Sequence, residues 1–70
     1  MYNELDTIEV INTTGMVHED IHIDDIGTIV MVFDDSNYLV EFGEKNGRTL
    51  VIETLHKDNI KPFNYKHNDA

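Results

Sequence analysis

Seventy residues carry 14 Asp and Glu against 5 Lys and Arg, a formal net charge of −9. A chain this short forms one domain, and such a domain buries only about 60% of the surface its unfolded chain exposes. The charge argues against a phosphate-binding surface of clustered cations, so no direct nucleic-acid or membrane partner is expected. The lack of cysteine excludes disulfides and thiolate metal sites.

No stretch keeps a helical apolar period, and β-branched and aromatic clusters bounded by turn residues predict short strands. The N-terminus, Met1-Tyr2-Asn3-Glu4-Leu5, has neither the basic nor the apolar region of a signal peptide. The first strand is predicted over Asp6 to Ile11. Asn12-Thr13-Thr14-Gly15 then opens a polar loop to about Asp25, in which Val17 to Ile23 alternates enough for a short extended piece. Gly27 to Phe33 is the clearest strand and contains the longest apolar run, Ile29 to Phe33. That run is far short of the roughly 20 residues of a membrane helix, so a cytoplasmic protein is the expectation. Asp34-Asp35-Ser36-Asn37 reads as a turn whose side chains bond their own backbone. Tyr38 to Phe42 is the next strand, and Glu44-Lys45-Asn46-Gly47 turns the chain into a partner strand over Arg48 to Thr54. A short turn through His56-Lys57-Asp58-Asn59 precedes Ile60, with Pro62 at an edge or strand end. The domain spans 1–63, and 64–70 is a polar tail expected to fray.

Hairpin loops of three residues at Lys45-Asn46-Gly47 and Asp35-Ser36-Asn37 would set the registers, with Gly47 in the left-handed position. Phe42 would then face Leu50, Val40 would face Ile52 and Tyr38 would face Thr54. Val30 would lie opposite Phe42 and Val32 opposite Val40. The core face would hold Val30, Val32, Tyr38, Val40, Phe42, Leu50 and Ile52, closed by Leu55 and Ile60. Met31, Phe33, Leu39, Glu41, Val51 and Glu53 would share the opposite face. Two readings of that face are open: it is covered by the first strand and the long loop, or it is an exposed interaction patch.

Asp25-Ile26-Gly27-Thr28-Ile29-Val30, Tyr38-Leu39-Val40-Glu41-Phe42, Gly47-Arg48-Thr49-Leu50, Thr54-Leu55 and Ile60-Lys61-Pro62 together form a distinctive series. From Leu5 to Phe63 the chain resembles a bacterial family, domain of unknown function DUF4926. The resemblance implies a small SH3-like barrel of about five short antiparallel strands. It also implies a 3₁₀ turn near His56 to Asn59 and a sharp turn at Gly27. The chain departs from the family at Asp24-Asp25, where a Gly-Asp pair is usual. It departs again in the loop Met16-Val17-His18-Glu19-Asp20, which lacks the usual proline and lysines. The family brings no established activity.

His18 and His22 stand among Glu19, Asp20, Asp24 and Asp25, all chemically suited to zinc or nickel. A histidine pair four residues apart binds metal well only on a helix, and this loop does not read as one. Ser36 is the only serine and lies in a turn. No catalytic residue, metal site or cofactor is therefore expected.

Two functions fit an acidic, protein-binding module. One is an immunity or antitoxin-type inhibitor that occludes a basic, nuclease-like toxin. The other is an accessory subunit that docks on a larger enzyme or on itself. The candidate contacts are Met31, Phe33, Leu39, Glu41, Val51 and Glu53, with the loop acids Glu19, Asp20, Asp24 and Asp25.

Overall fold

The computed structural model describes residues 1–43 and 50–64. Five strands, β1 (Thr7–Val10), β2 (Ile26–Val32), β3 (Asn37–Phe42), β4 (Val51–His56) and β5 (Ile60–Pro62), form one antiparallel sheet in the order β4-β3-β2-β1-β5. A 3₁₀ turn, Lys57–Asn59, connects β4 to β5. The predicted extended piece within Val17 to Ile23 is a loop with turns.

A sheet needs something against its apolar face. Here that face is buried in a single cluster that draws on every strand: Ile8 and Val10, Ile29, Tyr38, Val40 and Phe42, Val51 and Leu55, and Ile60. Because residues of both edge strands share one cluster, the sheet curves over its own inner face. Ile21 reaches in from the long loop.

The core differs from the predicted one by the parity of two registers. In β2 and β3, Val32 pairs with Tyr38 and Met31 with Leu39, but Ile29 pairs with Val40, with an irregularity between Ile29 and Met31. This bulge at Val30 hands the inward position to Ile29 and leaves Val30 half-buried. In β3 and β4, Phe42 pairs with Val51, Val40 with Glu53 and Tyr38 with Leu55. That register is one residue from the predicted one, and because side chains alternate, it exchanges the faces of every β4 residue. Val51 enters the core in place of Leu50 and Ile52, and Leu55 closes it as expected. The predicted Lys45 to Gly47 loop, its Gly47 conformation and the start of β4 at Arg48 lie outside the described residues, as does most of the tail.

Gly27 is also corrected. It makes no sharp turn; it lies within β2, paired with Ile8. A β-carbon there would sit 2.7 Å from Val40 Cγ1 and 2.8 Å from Phe42 Cε1. The glycine is needed because two core side chains lie over its backbone.

The turns follow local chemistry. Asp34 Oδ1 accepts the N–H groups of Ser36 and Asn37, each at 2.8 Å, and Asn37 Nδ2 at 3.1 Å. These bonds hold the Asp34 carboxyl below the usual aspartate value, the Ser36 N–H being the largest cause. The long loop is fastened by Asn59, whose buried Nδ2 donates to Asn12 Oδ1 at 2.9 Å and to the carbonyls of Thr14 at 3.0 Å and Asn12 at 3.2 Å. Asn12 Nδ2 returns a bond to the Asp58 carbonyl at 2.7 Å.

Candidate protein-binding surface

Alternation places Met31 and Phe33 of the β2 arm, Leu39 and Glu41 of β3, and Ile52 and Thr54 of β4 on the outer side of the sheet. Across the strands, Met31 stands beside Leu39, Leu39 beside Thr54, and Glu41 beside both Thr28 and Ile52. Among the described residues, neither the first strand nor the long loop covers the outer ends of this face. Met31 is 46% exposed, Phe33 50%, Leu50 49% and Ile52 51%. Leu39 and Glu41, on the central strand, are half-buried by their neighbours.

Three of the predicted contacts fall elsewhere. Val51 is only 5% exposed and belongs to the core opposite Phe42. Glu53 is on the inner side opposite Val40, half-buried because β4 is an edge strand. Asp25 is 7% exposed and shapes the loop: its Oδ2 accepts the His22 N–H at 3.0 Å, and its carbonyl accepts the Val10 N–H at 2.9 Å. Glu19, Asp20 and Asp24 are exposed, but on the long loop and not in the strand rows. Leu50 and Ile52 are the outer-face residues that the sequence reading missed. Their apolar character was visible, but it marked them for the core.

Met16, Val17, His18, Glu19, Ile21, His22 and Ile23 line an open hollow of about 590 Å³ on the loop. His18 is tied locally, its Nδ1 accepting the Asp20 N–H at 3.3 Å. Among the described residues no three His, Asp or Glu side chains converge where a metal ion could be held. No described helix is long and apolar enough to cross a membrane.

No curated protein and no solved structure matches this chain. The family model described as domain of unknown function (DUF4926) matches residues 4–62, nearly all of the described fold from the turn before β1 to the end of β5. The chain belongs to the DUF4926 family.

Proposed function

We propose that this protein is a small acidic binding module, without chemistry of its own, that docks on a basic partner protein and occludes it in the manner of an immunity or antitoxin-type inhibitor. The observation that carries this reading is the outer strip of exposed Met31, Phe33, Leu50 and Ile52 around half-buried Leu39, which no loop among the described residues covers. Single exposed apolar residues are ordinary, but a contiguous group on adjacent strands marks a docking surface. Glu41 lies within the strip and Asp34 and Asp35 at its end, in a chain of net charge −9. Such a surface attracts a cationic partner over several ångströms and disfavours phosphate-bearing ones. The strand order and the 3₁₀ turn before β5 support reading the curved sheet as a small SH3-like barrel.

The test is capture of partners by the tagged protein at low and high salt, beside the Leu39→Glu variant. A basic protein that is captured at low salt, released at high salt and lost with Leu39→Glu is the expected result. Neutralisation of that partner's activity then tests occlusion. A neutral partner retained at high salt would favour the accessory-subunit reading, because an apolar obligate contact is little screened.

A further inference from the structure

The two edges of the sheet are finished differently. In an antiparallel pair, residues alternately direct their N–H and C=O toward the neighbouring strand and away from it. On β5, the Ile11 N–H donates to the Asn59 carbonyl at 2.8 Å and the Phe63 N–H to the Thr7 carbonyl at 3.0 Å. With Glu9 opposite Lys61, these bonds turn Lys61 toward β1 and turn Ile60 and Pro62 outward. The Ile60 N–H is taken by the Lys57 carbonyl, and Pro62 has none. The β5 edge therefore offers no N–H to an incoming strand.

Among the described residues, no strand or loop pairs with the outer edge of β4. The Lys57 N–H donates to the Ser36 carbonyl at 2.8 Å, in the register that pairs His56 with Asn37. Stepping back by two, Leu55, Glu53 and Val51 bond to β3, while His56, Thr54 and Ile52 face away. The His56 N–H fixes this phase independently, since it donates to Asn59 Oδ1 at 3.0 Å. The outward N–H and C=O groups of Ile52 and Thr54 have no partner among the described residues. Neither lysine nor proline blunts this six-residue edge.

We infer that the β4 edge takes an extended, cationic segment of the partner protein as a sixth strand. This rests on the docking reading above and specifies its geometry. Ile52 and Thr54 would supply the ladder bonds, and Ile52 would present the apolar strip beside the added strand. Glu53, half-buried on the other side, would meet a lysine or arginine. Charge decides the occupant: a second copy would bring another −9 and another Glu53 to the edge, whereas a basic segment is attracted to both.

The probe is a short capped peptide of lysine alternating with valine or threonine, titrated into the isotope-labelled protein. In the free protein the Ile52 and Thr54 amides should exchange with solvent quickly, and those of Val51, Glu53 and Leu55 slowly. At saturation the Ile52 and Thr54 amides should slow by more than about tenfold. A backbone N-methylated peptide and a glutamate-for-lysine peptide should both fail to slow them. Changes confined to Met31, Phe33 and Leu39 would overturn strand addition while leaving the docking face intact. Absence of saturable binding, or equal binding of the glutamate peptide, would overturn the cationic-strand assignment, and partner capture by the face would then be judged separately. Slowing that depends on protein concentration without peptide would replace the partner segment with a second copy.

Discussion

The edge strands β4 and β5 belong to the same sheet and enclose the same core, yet among the described residues β5 is sealed and β4 is not. β5 reaches closure by brevity, by Pro62 and by the turn that consumes the Ile60 N–H. β4 is twice as long, rich in β-branched residues, and leaves the outward backbone groups of Ile52 and Thr54 without a partner among the described residues. An exposed edge is a hazard for aggregation. Keeping one beside an apolar strip, while the opposite edge is closed at each outward N–H, is the arrangement that the proposed docking requires. The contrast also shows that a strand's availability depends on the phase of its ladder as well as on its composition.

The largest effect that would test this comparison comes from proline at adjacent β4 positions. Glu53→Pro removes an N–H that bonds to β3 and should cost about 3 kcal/mol. Thr54→Pro removes one that faces solvent and should cost clearly less. Urea unfolding compares them, and equal losses would show that the ladder phase is misassigned. Asn59 comes next, because its Oδ1 closes the last outward N–H of β4 while its Nδ2 holds the long loop. Asn59→Ala should cost about 1–3 kcal/mol by leaving buried partners unpaired. The same change should speed exchange of the His56 amide.

Gly27→Ala tests the centre of the sheet, on which both edges rely. Its added methyl would press on Val40 and Phe42 and should cost about 1–3 kcal/mol in urea unfolding. The pH response of the β2–β3 turn is smaller. The Asp34 carboxyl is held below its ordinary value in the fold, so its stabilisation is complete above that ordinary value. It is then lost as pH falls through the folded value. The stability difference between the protein and Asp34→Ala should therefore be constant near neutrality and shrink in strong acid. At the small end, Pro62→Ala should change stability by less than about 0.5 kcal/mol while restoring an outward N–H to β5. Increased self-association in sedimentation experiments would show that the proline seals that edge.

Much of this was legible in the residues themselves. The lack of helical period and the spacing of Asn, Asp and Gly fixed an all-β chain of short strands. Asp34 and Asn37 close their turn by bonds that both side chains carry with them wherever that turn forms. The series from Asp25 to Pro62 revealed the family, and the alternation in Tyr38 to Phe42 assigned β3's two faces correctly. What tertiary structure alone decided was parity. Val30 and Ile29 are equally suited to a core, as are Ile52 and Val51, so apolar character could not rank them. A bulge at Val30 and a one-residue change in the β3–β4 register chose between them. Strand side chains repeat every two residues, so a displacement of one sends a whole strand's side chains to the other face. The same arithmetic, applied to the backbone, left Ile52 and Thr54 facing the open edge.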